Sequence, residues 1–183
     1  GKTTLFRHLM GFVRAQQGSC QIGGFDCWRF PSKVQQLVGY LPERTADMEW
    51  MTGIEFLMFC ARYRGLESQQ MMRLLLDRLE VNPNYELRRM PAAIRRKLAI
   101  VCALMHDPAV LLLDGPTDGL VTEDQKRVLE LIREEKIHGK AILLASRDRS
   151  LASFCDRSFT LQEGCLVPMA EGDTQGQEKG ERS

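Results

Sequence analysis

The chain has 183 residues, 44% hydrophobic and 27% charged, as expected of a globular domain and not of a disordered or fibrous chain. That length allows one domain with a small insertion and excludes two full cores. Lys plus Arg number 25 against 24 Asp plus Glu, so a formal net charge of +1 supplies no long-range field for nucleic acid or an anionic membrane, and no nucleic-acid partner is expected.

Behind Gly1-Lys2-Thr3-Thr4, the residues Leu5, Phe6, Leu9, Met10 and Val13 recur at three- and four-residue spacing. This predicts a short amphipathic helix launched from a Gly-Lys-Thr turn. Ile22-Gly23-Gly24 is turn-like, and residues 36–41 read as a strand stopped by Pro42. Between residues 52 and 79 the spacing of Ile54, Leu57, Met58 and Ala61, then Met72, Leu75, Leu76 and Leu79, predicts a helical insertion joined through Gly65. Another helix is expected to begin at Pro91, with Ile94, Leu98, Val101, Cys102 and Met105 on one face and His106-Asp107-Pro108 as its end. Residues 109–113 are continuously apolar and closed by Asp114, the pattern of a strand buried on both faces with a carboxylate at its C-terminal edge. Residues 123–137 read as a helix, 141–145 as a second buried strand, and 159–167, turning at Glu163-Gly164, as a closing hairpin. Alternating strands and helices predict an α/β fold with a mostly parallel sheet. The polar stretch from residue 170 to 183 is expected to be a loose tail.

Six cysteines are scattered without a C-x-x-C pair and the three histidines are far apart, so no zinc site is predicted. Apolar neighbours, as around Cys102, read as buried thiols of a reducing cytosol. No apolar run reaches the ~18 residues needed to span a bilayer; residues 98–113 are interrupted by His106-Asp107-Pro108.

Gly1-Lys2-Thr3 followed by a helix is the second half of the phosphate-binding pattern G-x-x-x-x-G-K-[ST]. Backbone N–H groups at the helix start would surround phosphates, with Thr4 in that first turn, Lys2 would reach their oxygens, and Thr3 would hold magnesium. Leu111-Leu112-Leu113-Asp114 supplies the second requirement, a metal-supporting carboxylate at the end of a buried strand. Each motif alone is weak; in this order they point to nucleotide binding. No N-K-x-D guanine-reading motif occurs, which disfavours a GTP switch.

From Gly1 to about Val167 the chain resembles the nucleotide-binding domain of ABC transporters. The resemblance rests on Gly39-Tyr40-Leu41-Pro42-Glu43 at the Q-loop position, the run from Leu104 through Pro108 to Asp114, Pro116-Thr117-Asp118-Gly119-Leu120, and Cys155-Asp156-Arg157. Glu43 in place of the usual Gln is similar to an exporter-type branch. The resemblance implies a P-loop NTPase core formed by residues 1–41 and 106–169, with residues 42–105 as Q-loop and helical subdomain. It implies ATP and Mg2+ as ligands, held by Gly1, Lys2, Thr3, Thr4, Glu43 and Asp114, with Thr3 and Asp114 on the metal. It further implies a second nucleotide-binding domain and a transmembrane permease as partners, and a cytoplasmic position, peripheral on the membrane. The family places a strand, the first part of the phosphate loop and an adenine-stacking aromatic ahead of Gly1, so this stretch by itself is expected to bind nucleotide poorly.

Four departures bear on catalysis. The family's L-S-G-G-Q signature falls on Met90, Pro91, Ala92, Ala93 and Ile94, where proline offers neither hydroxyl nor N–H and added methyls crowd a phosphate. The catalytic Glu position is Gly115, the D-loop Asp position is Val121, and the switch His position is Arg147. Glycine cannot polarise water, and losing a general base costs about a hundred- to ten-thousand-fold in rate. Impaired hydrolysis is therefore expected; a fully active transport ATPase and a non-transport scaffold are the alternatives. Arg95, Arg96 and Lys97 are expected to form a solvated helix face rather than a substitute anion site. Residues 46–59 are where the family receives a coupling helix from its membrane subunit; Trp50, Met51, Phe56 and Met58 either serve that groove or simply pack within the helical subdomain.

Overall fold

Gly1 is the N-cap of α1 (Lys2–Leu9), which buries Phe6 and, at its C-cap, Met10. The computed structural model describes residues 1–44 and 50–169. A small antiparallel hairpin follows, β1 (Gln21–Ile22) and β2 (Phe25–Asp26), then α2 (Pro31–Leu37) running directly into β3 (Val38–Leu41). Here the expected strand at residues 36–41 is shortened: Gln36 and Leu37 close a helix that Pro31 begins, proline being pre-set for a first helical turn.

The helical insertion consists of α3 (Gly53–Tyr63) and α4 (Gln70–Arg78). A capping box starts α3, with the Thr52 hydroxyl accepting from the Glu55 N–H and the Glu55 carboxylate accepting from the Thr52 N–H. A single turn at Leu87–Arg89 leads to α5 (Ala92–Leu104), whose N-cap is Pro91, so the helix starts one residue later than expected. Then come β4 (Val110–Asp114), α6 (Thr122–Ile137), β5 (Ala141–Ala145), a short turn of helix at Arg149–Phe154, and the hairpin β6 (Phe159–Gln162) and β7 (Cys165–Pro168). The tail expected from residue 170 lies outside the described residues.

β3, β4 and β5 form a parallel sheet in that order, Gly39 opposite Leu111 and Leu111 opposite Ile142. Side chains alternate across β4. Leu111 and Leu113 enter a cluster with Leu57, Leu75, Leu98 and Val101 of the helical layer, while Leu112 enters another with Phe6, Val34 and Val38. The central strand thus divides the core into a layer on each face. Gly39 allows the tight approach of α5: a Cβ there would fall 2.1 Å from the Ala103 carbonyl oxygen. A second fully buried strand is expected at residues 141–145; among the described residues β5 pairs with β4 alone, and its residues are exposed or half-buried.

α5 departs furthest from the sequence reading. In place of one apolar stripe it is buried almost all round from Arg96 to Val101, while Ile94 and Cys102 are only half-buried. Arg96 and Lys97, expected on a solvated face, are 7% and 4% exposed. A helix squeezed between the sheet and the α3–α4 pair has little solvated face to offer, so those cations reach partners inside. Lys97 pairs with Asp124 of α6 at 3.0 Å. Of the cysteines, Cys27 is buried, Cys20, Cys60 and Cys102 are half-buried, and Cys155 and Cys165 are exposed, so the expectation of buried thiols holds for only part of the set.

Candidate functional site

Parallel strands leave a crevice at their C-terminal ends, where loops diverge. Here the ends of β3, β4 and β5 meet the N-terminus of α1, and one open cleft is lined by Lys2, Thr3, Glu43, Asp114, Asp118 and Arg147, with Gly1, Thr4 and Gly115 also on its wall. The first N–H groups of α1 have no acceptor within the helix, and its first turn carries no acidic side chain. That end of the helix is a ready anion site. The Lys2 side chain makes no hydrogen bond or ion pair among the described residues, so its ammonium is available to a ligand.

The Thr3 hydroxyl joins the helix to the sheet. Its Oγ1 donates to Asp114 Oδ2 at 2.7 Å and lies 3.1 Å from Glu43 Oε2. Residues 111 positions apart therefore meet on one hydroxyl, as the two-motif reading requires. Asp114 is 4% exposed, and its charge together with burial raises the pKa of the Tyr40 phenol, burial being the larger cause. Arg147 reaches across the cleft to Glu43, Nη2 to Oε1 3.4 Å, an exposed pair worth at most about 1 kcal/mol. The donor set of Thr3, Asp114 and Glu43 is hydroxyl and carboxylate oxygen, which suits a hard divalent cation.

Two residues of this site escaped the sequence reading. Arg96 Nη1 donates to the carbonyls of Pro42 at 2.6 Å and Glu43 at 3.2 Å, while Nη2 donates to Gly115 at 2.6 Å and to Asp114. One guanidinium thus ties the end of β3 to the end of β4. Burial lowers its pKa, opposed by the carboxylates of Asp118, Asp114 and Glu43. The apolar residues surrounding α5 on every side were the available signal, since such a helix is buried all round. The other is Asp118, which sits in a matched motif at a position without an assigned role. Gly115 has φ +63, a left-handed backbone that favours glycine.

The segment Met90 to Ile94 is not in this cleft: Met90 is buried in the helical core, Pro91 and Ala92 are exposed, and Ala93 and Ile94 pack against that core. Met51, Phe56 and Met58 also pack there, which favours the packing alternative for them, whereas Trp50 is 73% exposed. Residues 45–49 lie outside the described residues, and with them part of the expected coupling segment. Val121, at the D-loop position, is exposed. Among the described residues no helix is long and apolar enough to cross a membrane.

A family model described as ABC transporter matches residues 1–118. The human phospholipid-transporting ATPase ABCA3 is 31% identical over 172 residues, covering 90% of this chain and 10% of that protein. The ATP-binding protein NatA of Bacillus subtilis is 30% identical, covering 91% of this chain and 71% of its own length. The manganese transport system ATP-binding protein MntA of Synechocystis is 27% identical, with 96% and 70% covered. Among solved structures, an ATP-binding subunit of an ABC transporter superposes with a TM-score of 0.84 at 25% identity, over 94% of this chain and 75% of that one. The dimeric bacterial cassette MJ0796 shares the fold, with a TM-score of 0.80 at 18% identity, over 90% and 77%. The chain therefore spans only a small part of ABCA3 and most of the shorter bacterial subunits. Family match, superposition and the meeting of Thr3 with Asp114 agree: the chain belongs to the ABC transporter family, as an ATP-binding domain built on a P-loop NTPase fold.

Proposed function

We propose that the chain binds MgATP in the cleft at the strand ends and uses that binding to close against a second cassette and move a membrane-spanning permease partner. The observation that carries the reading is the Thr3–Asp114 contact at 2.7 Å, which gathers the helix start and the central strand end at one point. Lys2 and the N–H groups of Gly1, Lys2, Thr3 and Thr4 would cradle the phosphates. Thr3 and Asp114 would hold magnesium, with Glu43 beside them. When bound, the metal neutralises charge on the β- and γ-phosphate oxygens.

Support for a paired cassette comes from MJ0796, solved as a dimer, and from cbiO1 of Clostridium perfringens, described as part of an ABC transporter complex. Val121 and the altered segment Met90 to Ile94 would face that second cassette with weakened contacts to its nucleotide. Residues 42–105 would receive the permease, Trp50 being one of the exposed aromatics in that region beside Phe59, Tyr63 and Tyr85, and the protein would sit on the cytoplasmic side of its membrane through that partner. Gly39-Tyr40-Leu41-Pro42-Glu43 supports an exporter-type assignment. Gly115 and Arg147 leave neither a carboxylate directly after Asp114 nor a group that shares a proton near neutral pH, so hydrolysis is slow beside that of an intact cassette. Of the relatives named above, ABCA3 is named for phospholipid transport and MntA for manganese transport.

Calorimetric titration of the full-length protein with MgATP tests the reading. Lys2→Ala should weaken binding about tenfold or more, the loss of one charge-assisted contact to phosphate. Asp114→Asn should remove most of the dependence on magnesium. Unchanged affinity in both variants refutes the assignment of the cleft.

A further inference from the structure

We propose that Asp118 is the carboxylate that orients and deprotonates the attacking water in the slow ATP hydrolysis of this cassette, taking the place of the side chain that Gly115 lacks. The inference rests on the nucleotide-binding reading above and deepens it.

The tight turn Gly115-Pro116-Thr117-Asp118, closed by the Asp118 N–H donating to the Gly115 carbonyl at 3.0 Å, folds residue 118 back over residue 115. A Cβ placed on Gly115 would fall 2.3 Å from Asp118 Oδ2 and 2.7 Å from its Cγ, far inside van der Waals contact. The space in which a side chain at residue 115 would start is therefore filled by a carboxylate from three residues downstream. Gly115 is what makes room for it: a left-handed φ of +63 and no Cβ together bring the Asp118 oxygens against the backbone that follows Asp114.

The other carboxylates of the cleft are engaged. Asp114 accepts from Thr3, and Glu43 meets both Thr3 and Arg147. Asp118 lines the same cleft and is exposed, and its side chain makes no hydrogen bond or ion pair among the described residues, so its oxygens are free to hold a water. The Arg96 guanidinium, which donates to the carbonyls of Asp114 and Gly115, is close enough to feel the charge of Asp118, which opposes the lowering of its pKa by burial.

The step balances without a further reactant. A lone pair of the water oxygen forms a bond to the γ-phosphorus. The bond from that phosphorus to the oxygen bridging to the β-phosphate breaks, and its electron pair leaves with ADP. One water proton passes to Asp118 and from there to phosphate or solvent. Nothing is oxidised or reduced.

Single-turnover hydrolysis of labelled MgATP by the full-length protein, with binding measured in parallel, decides the matter. Asp118→Asn should bind MgATP within about twofold of the parent and hydrolyse it about a hundredfold more slowly or worse, the low end of the effect of a positioned base. Asp118→Glu, which keeps the carboxylate, should stay within a few-fold of the parent, an outcome that a merely structural role for residue 118 does not predict. Equal rates for the parent and Asp118→Asn overturn the proposal. So does a parent that binds MgATP without any turnover, which leaves the binding reading standing; a parent that fails to bind MgATP overturns both.

Discussion

Replacing Arg96 by Met removes a guanidinium that four backbone carbonyls share, those of Pro42, Glu43, Asp114 and Gly115. Each lost hydrogen bond costs about 1 kcal/mol net, and a buried carbonyl left without a donor costs about 1–3 kcal/mol. Against this stands the relief of desolvating a cation that is 7% exposed and has no carboxylate in direct contact. The balance is a destabilisation of roughly 2–4 kcal/mol, smaller than four independent losses because removing the buried charge offsets part of them. For a chain of this length that lowers the thermal midpoint by about 5–15 °C. Thermal unfolding followed by circular dichroism is the assay, with Arg95→Met as control, since Arg95 is half-buried and its guanidinium donates to no acceptor among the described residues. The control should move stability by less than about 0.5 kcal/mol. Arg96→Lys keeps the charge but not the forked donors, and should fall between the two. Equal midpoints for Arg96→Met and Arg95→Met would refute the idea that this side chain ties β3 to β4.

Asp124→Asn strands the Lys97 ammonium, which is 4% exposed, and should cost about 3–5 kcal/mol in urea unfolding, whereas Lys97→Met with Asp124→Leu should cost much less; equal costs would show that the pair is not desolvated. His106 has its pKa pushed down to about 4 by burial first and by the charge of Arg64 next, against an ordinary value of 6.5. Its neutral ring, with Nε2 3.2 Å from the Val38 carbonyl oxygen, contributes stability that is fully present above pH 6.5 and is lost as pH falls through 6.5 toward 4, because the unfolded chain takes up the proton first. Stability measured from pH 7.5 to 4.5 should therefore decline less steeply in His106→Gln than in the parent, and parallel profiles would remove His106 as the cause.

What could be read from the sequence was what chemistry places next to itself in the chain. Gly1-Lys2-Thr3 ahead of a helical repeat, and Leu111 to Asp114 as an apolar run ending in a carboxylate, declare their local structure through spacing alone, and both lie where that spacing puts them. The α/β alternation and parallel sheet follow in the same way. α2 was hidden because its seven residues bury only Val34 and so show no helical period; Pro31 was its one local mark.

Tertiary structure decided what each cation and carboxylate does. Arg96 and Lys97 look like a solvated pair in one dimension, yet packing between sheet and helices leaves them few acceptors except strand-end carbonyls and Asp124. Arg147 and Glu43 meet from 104 residues apart, and Asp118 fills the space beside Gly115 only because a left-handed turn brings it there. Sequence spacing sets the local elements, because backbone periodicity acts over a few residues. Burial, charge pairing and the occupant of an empty side-chain position depend on which elements the core forces together, and only the fold specifies that.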